Sequence, residues 1–141
     1  MNPTLDALRE RCGVHLGRGD GPESGPFVAR IELGRMPDDL GVEVRYEAWS
    51  DAQGLQHRER TLVAPDAATG ELSLWVLCGE IPGVVRLGER SPGVFESDDA
   101  FTALSARIVI GLDDGGLSYA WWWALPGAEL VEQSRAEVRP A

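Results

Sequence analysis

Lysine is absent from the sequence. All 13 basic residues of the 141-residue chain are arginines, so no side-chain amine can form a Schiff base, and that class of covalent catalysis is excluded. The 23 acidic residues outnumber the bases and give a formal net charge of -10. Such a surface repels phosphate backbones and anionic lipid headgroups, so we expect neither nucleic acid nor a membrane as a partner.

Cysteines and long apolar runs are also scarce. The two cysteines, Cys12 and Cys78, are too few for a disulfide scaffold and have no zinc-ligand spacing, so we predict reduced, structural thiols and no metal site. No run approaches the ~20 consecutive apolar residues that cross a bilayer. The first residues contain no basic segment followed by an apolar one, as a signal peptide would. We therefore expect a cytoplasmic protein.

The first 25 residues differ in sequence pattern from the rest of the chain. A short helix is predicted over 4–12, because three residues recur at helical spacing on one face: Leu5, Leu8 and Cys12. The stretch that follows is too rich in Gly and Pro to be helical. Only a short strand is predicted there, within 17–22.

From residue 26 onward, apolar and polar residues alternate as in half-buried strands. The joints are mostly short and rich in Asp, Gly and Pro, which leaves no room for crossover helices and makes neighbouring strands antiparallel. The gap over 97–103 is interpreted as a loop or a single helical turn. Strands are predicted over 27–35, 40–49, 56–64, 71–78, 83–89, 104–111, 116–124 and 129–139, with a short extra one over 93–97.

A meander this long leaves two unpaired edges unless it closes on itself. We therefore predict an all-β fold, an antiparallel up-and-down β-barrel of eight to ten strands with a short N-terminal helix that covers one end. The chain is predicted to be one domain over 1–141. Its helix and glycine-rich entry occupy 1–25, and its strand meander occupies 26–141.

Three motifs occur in the order helix, glycine strand and hairpin meander. They are the four glycines at positions 13, 17, 19 and 21 of Gly13–Gly21, the His-x-Glu hairpin of Gly54–Glu59, and the segment Leu130–Arg139. Together they resemble the Gly-x-Trp-x-Gly-x-Gly-x-Gly opening, the hairpin and the closing strand of the nitrobindin-like proteins. The resemblance covers essentially the whole chain and implies a calycin barrel, related to lipocalins and fatty-acid-binding proteins. Lipocalin-like bacterial domains of unknown function share this architecture.

The resemblance also implies a haem held by a histidine on the closing strand, with activity on peroxynitrite or nitric oxide. The corresponding position here is Gln133, and a neutral amide is a poor iron ligand. The two histidines, His15 and His57, lie elsewhere in the sequence. We therefore predict no cofactor.

Both histidines are candidate ligand-binding residues. His57 shares a strand face with Glu59 and Thr61. It is either a lumen histidine that a carboxylate orients toward a ligand, or a hairpin-end histidine in solvent or in a structural hydrogen bond. His15 replaces the family's tryptophan, and it either contacts a ligand or packs under the N-terminal cap.

The aromatic strand and one arginine supply the other candidates. Tyr119, Trp121 and Trp123 share a strand face that we assign to the interior, where they either floor a pocket for a flat ligand or fill a ligandless core. Trp122 would then point outward and need cover, from the helix or from a second subunit. Arg107 is either a lumen cation for an acidic ligand, near Tyr119 or Gln133, or a solvated outer residue.

The sequence contains no catalytic template such as Gly-x-Ser-x-Gly, a phosphate loop or His-Glu-x-x-His, so no catalytic residue is proposed. We expect a binding barrel for a small hydrophobic or amphipathic molecule rather than an enzyme. The alternatives are a nitrobindin-like haem protein and a filled-core barrel that acts through its surface as a homodimer.

Overall fold

The computed structural model describes residues 2–98 and 104–141. Within these ranges it contains one α-helix, α1 (Pro3–Glu10), a 3₁₀ turn over Pro37–Asp39, and ten strands. The strands are β1 (Gly13–Asp20), β2 (Phe27–Arg35), β3 (Val42–Ser50), β4 (Gly54–Pro65), β5 (Leu72–Cys78), β6 (Ile81–Ser91), β7 (Val94–Ser97), β8 (Ser105–Leu112), β9 (Leu117–Ala124) and β10 (Val131–Pro140).

The predicted all-β barrel is confirmed. Consecutive strands pair antiparallel from β1 to β10, and β10 pairs with β1 to close the ring. Alternation places the core inside the ring, as in β3, where Val42, Val44, Tyr46 and Ala48 are all buried. Burying a large apolar side chain in this way stabilises the fold by ~1.5–3 kcal/mol. No helix in the described part of the chain is long and apolar enough to cross a membrane.

The helix α1 covers the barrel end at which β1 begins. The Asn2 side chain caps it by accepting a hydrogen bond from the Leu5 amide. Leu5 and Leu8 are buried in the core, and the helix packs against β2 and β3. Cys12, which was predicted to share their face, is exposed because the helix ends at Glu10 rather than at residue 12.

The first strand is longer than the sequence suggested. The prediction within 17–22 is wrong in extent, because β1 runs from Gly13 to Asp20. Two of its glycines, Gly17 and Gly19, mark close approaches rather than turns. A Cβ on Gly17 would lie 2.0 Å from the Glu137 carbonyl oxygen, and one on Gly19 would lie 2.2 Å from the Phe27 ring. Of the loop predicted over 97–103, residues 99–103 lie outside the described residues.

Candidate ligand-binding site

A cavity of about 600 Å³ opens at the barrel end opposite α1. Its volume is within the usual range for small-molecule sites. The apolar part of its wall consists of Phe27, Tyr46, Ala48, Ile81, Leu104, Ala106, Trp121 and Trp123. The remaining wall and rim consist of Glu23, Ser24, Gln53, Gln56, His57, Cys78, Glu80, Gln133 and Ser134.

A buried carboxylate, Glu59 on β4, lies next to the cavity and is 1% exposed. Its Oε1 accepts hydrogen bonds from His57 Nε2 at 2.8 Å and from Trp121 Nε1 at 2.9 Å. Its Oε2 accepts from the hydroxyl groups of Thr61 and Tyr119, each at 2.5 Å. Four donors therefore surround the carboxylate, and all of them favour its ionised form.

Period-two alternation explains why these groups meet. Along β4, His57, Glu59 and Thr61 point inward, whereas Arg58 and Arg60 point to solvent. The strand β9 contributes its own inward residues from across the lumen. The carboxylate is thus bound both by its own strand and by a strand some 60 residues away in the chain.

His57 lies between two carboxylates. Its Nε2 is bound to Glu59, and its Nδ1 is 2.5 Å from Glu80 Oε2. Burial by itself would lower the pKa of His57, but the hydrogen bonds and charges of Glu59 and Glu80 outweigh it and raise the pKa from 6.5 to about 9. Burial likewise opposes ionisation of Glu59, yet its hydrogen bonds and the His57 charge hold its pKa below 4.5. At neutral pH the two side chains form an ion pair.

Two tyrosines pack around this pair. The ring centroid of Tyr46 is 4.9 Å from that of His57 and 5.4 Å from that of Tyr119, both edge to face. Burial raises the pKa of both tyrosines, and the Glu59 charge raises it further. Both hydroxyl groups therefore stay protonated.

The aromatic strand is divided between the two faces of the barrel wall. Tyr119 and Trp121 are buried inside, and Trp121 and Trp123 line the cavity. Trp122 lies on the outer face, where the Arg107 guanidinium sits 5.3 Å from its ring centroid. Of the two covers expected for Trp122, α1 is wrong, since that helix packs against β2 and β3, and a second subunit stays a prediction.

Arg107 is not a lumen residue. The inward positions on β8 belong to Ala106 and Ile108, so Arg107 points outward and forms an ion pair with Glu96, Nη2 to Oε2 at 2.7 Å. One of the two predictions for Arg107, a lumen cation that binds an acidic ligand, is therefore wrong.

His15 and Gln133 lie at opposite ends of the barrel. His15 is 2% exposed near α1, with Nδ1 3.3 Å from the Gly13 carbonyl oxygen, and it does not line the cavity. Gln133 lines the cavity, at a register shift in β10 between Glu132 and Ser134. The sequence did not point to Glu80, Tyr46 or Gln56, although the inward alternation of β3 would have suggested Tyr46.

The residues present do not fit a haem. Both nitrogens of His57 are engaged with carboxylates, and the ring is protonated at neutral pH, so no lone pair faces an iron. Burial raises the pKa of the Cys78 thiol to about 11, so at neutral pH Cys78 would not supply a thiolate ligand for iron. In the described part of the chain, no three His, Cys, Asp or Glu side chains are grouped to hold a metal ion.

Comparisons with known proteins show the fold. No family model and no curated protein matches the sequence. Among solved structures, the barrel is similar to the crystal structure of Rv2717c from M. tuberculosis, with a TM-score of 0.70 and 16% identity. The match covers 100% of this chain and 99% of that chain. At this identity the likeness shows the fold alone, a closed antiparallel β-barrel, and the resemblance to calycins and nitrobindins stays a prediction.

The His57–Glu59 pair predicts a pH-dependent stability. Because folding raises the pKa of His57 from 6.5 to about 9, its contribution is complete below pH 6.5 and is lost as the pH rises through 9. We expect the free energy of unfolding to fall by ~2 kcal/mol between pH 6 and 8.5, a range that ends before the Cys78 thiol contributes. Because folding lowers the pKa of Glu59, its own contribution is lost only as the pH falls below 4.5.

Urea denaturation across this range would measure the effect. His57→Gln should flatten most of this slope, whereas Gln53→Ala, a neutral change at an exposed residue of the same barrel end, should keep it. A wild-type profile that is level from pH 6 to 8.5 would contradict the ion pair.

Proposed function

We propose that this protein is a non-enzymatic binding barrel for a small amphipathic molecule with a flat apolar portion. The observation that carries the proposal is the cavity itself, which opens at one end and has aromatic walls and a polar rim. Trp121, Trp123 and Phe27 offer ring faces and edges on which a flat molecule would stack. A barrel whose core was filled throughout would leave no such volume.

The state of the titratable groups supports binding rather than catalysis. Glu59 is saturated by four donors, and His57 has both nitrogens engaged, so neither is a free general base. The thiol of Cys78 has a raised pKa and is a poor nucleophile at neutral pH. These groups shape and polarise the cavity without offering a reactive centre.

Three naphthalene probes of nearly equal size would test the proposal: 2-naphthamide, 2-naphthoate and 2-naphthylmethylamine. We expect saturable quenching of tryptophan fluorescence by at least one of them, together with a rise in Tm, because a ligand of the folded state stabilises it. Filling the cavity with Ala106→Leu should weaken this binding at least ~tenfold, since the added side chain displaces the probe.

The matched control makes the same change elsewhere. Ala68→Leu adds identical atoms at an exposed turn near the α1 end and should leave binding unchanged. Absence of saturable binding by all three probes would overturn the proposal, as would equal binding by the Ala106→Leu and wild-type proteins.

A further inference from the structure

The cavity wall contains one cationic group. Among the described lining residues, His57 is the only basic side chain, and its Nδ1 donates to Glu80, a residue of the turn between β5 and β6. The Glu80 carboxylate therefore occupies the position at which a ligand in the cavity would contact the charged His57 ring.

We propose that the ligand carries a carboxylate, which binds His57 Nδ1 in place of Glu80. This inference rests on the proposed binding function and names the chemical class of the ligand. Glu80 then acts as an internal substitute that keeps the charge of His57 paired while the cavity is empty.

The orientation of the His57 ring is fixed by its hydrogen bond to Glu59. Glu59 is fully buried, and its four hydrogen bonds include three from residues other than His57: Thr61, Tyr119 and Trp121. A ligand would have to break all of these to displace Glu59, which is costly for a buried carboxylate. The imidazole is therefore held with Nε2 toward Glu59, and Nδ1 remains a donor on the other side of the ring.

Glu80 is held far more weakly than Glu59. Its side chain is 54% exposed, against 0% for Glu59. Exposed ion pairs contribute little net stability, because the released carboxylate regains its water shell. A ligand carboxylate gains the same hydrogen bond and also places its apolar body against the aromatic wall, so the exchange favours the ligand.

An amine fits the interior less well. Among the described residues the one interior carboxylate, Glu59, is already saturated, so a cation that entered would meet the donors His57 and Trp121. The neutral Gln56, whose Oε1 is buried without a partner among the described residues, can accept a hydrogen bond from an amine and from an amide alike. Among the described lining residues, the carboxylates left to a cation are Glu23 and Glu80 at the rim. Rim contacts of this kind are solvated and weak.

The same three probes separate the ligand classes. At pH 7 we expect 2-naphthoate to bind at least ~tenfold more tightly than 2-naphthamide. A hydrogen bond between charged groups contributes more free energy than a neutral one, and the difference corresponds to about a tenfold change in Kd. The amine should bind most weakly. Tightest binding by 2-naphthylmethylamine, or equal binding by the acid and the amide, would overturn the proposal that the ligand carries a carboxylate.

Two rim variants locate the effect at His57. Glu80→Gln removes the competing carboxylate and its charge, and it should raise the affinity for 2-naphthoate several-fold and that for 2-naphthamide by clearly less. Glu23→Gln removes the same charge from the same rim without touching His57, and its effect should be clearly smaller. Equal effects of the two variants would mean that the rim carboxylates only repel the charge of 2-naphthoate. The proposal that the ligand replaces Glu80 at His57 would then be wrong.

His57→Gln should abolish the preference for the acid over the amide. A His57→Gln protein that kept this preference would also overturn the proposal, and the rim variants decide the matter if this one does not fold. If none of the probes binds, the binding function itself fails. If they bind in the wrong order, only the carboxylate inference fails.

Discussion

Replacing Glu59 with alanine is expected to lower the free energy of unfolding by ~3–5 kcal/mol, as found when one partner of a buried ion pair is removed. The substitution leaves His57 without its buried counter-charge and deprives Thr61, Tyr119 and Trp121 of their acceptor. Since small domains have only ~5–15 kcal/mol of stability in total, the loss is a large fraction. Urea denaturation at pH 7 measures it.

A conservative variant keeps this prediction testable if the alanine protein does not fold. Glu59→Gln preserves size but turns one acceptor oxygen into a donor that faces other donors, and it should cost ~2–3 kcal/mol. The control is Glu47→Ala, on the outer face, where the partner Arg58 is 3.6 Å away and 69% exposed, and a change below ~0.5 kcal/mol is expected. Similar effects at Glu59 and Glu47 would contradict the four-donor arrangement.

Trp121→Ala is expected to cost ~3–5 kcal/mol, the usual penalty for truncating a buried aromatic side chain. Trp121 is 7% exposed and also donates to Glu59. The neighbour on the opposite face, Trp122, packs under Arg107, and its Nε1 is buried without a hydrogen-bond partner among the described residues. Trp122→Ala should therefore cost only ~0.5–2 kcal/mol, roughly the worth of a partly exposed cation–π contact.

Trp123→Ala should lie between these values, because Trp123 borders open volume rather than packed atoms. Chemical denaturation with size-exclusion chromatography checks the series. A change in oligomeric state on replacing Trp122 would indicate that a second subunit covers it. A larger loss at Trp122 than at Trp121 would contradict the assignment of the strand's faces.

Much of the barrel could be predicted because its signals are local. Alternation over Val42–Ser50 and short Asp- and Gly-rich joints define strands and hairpins without any knowledge of the rest of the chain. The first strand was underestimated because glycine suggests turns, whereas Gly17 and Gly19 serve the close approach of β10 and of Phe27. A contact of this kind exists only once the ring has closed.

The site could be predicted only in part. Period two links His57 to Glu59, but the meeting of Glu59 with Tyr119 and Trp121 depends on how the sheet curls, which no local pattern encodes. Glu80 lies in a turn, where charged residues are common and carry no signal. The outward position of Arg107 was readable, since its neighbours on β8 form a consistent apolar face.

The seam between β1 and β10 has a kinetic consequence. Every other pairing in the ring joins consecutive strands, whereas these two are separated by all eight of the others. Contacts between segments distant in the chain slow folding, because the entropy of closing the intervening loop is lost before the contact forms. We therefore expect the hairpins to form early and the seam last, which pulsed hydrogen exchange of the β1 amides would time. Until then the glycine-rich strand is an open edge, available to another chain.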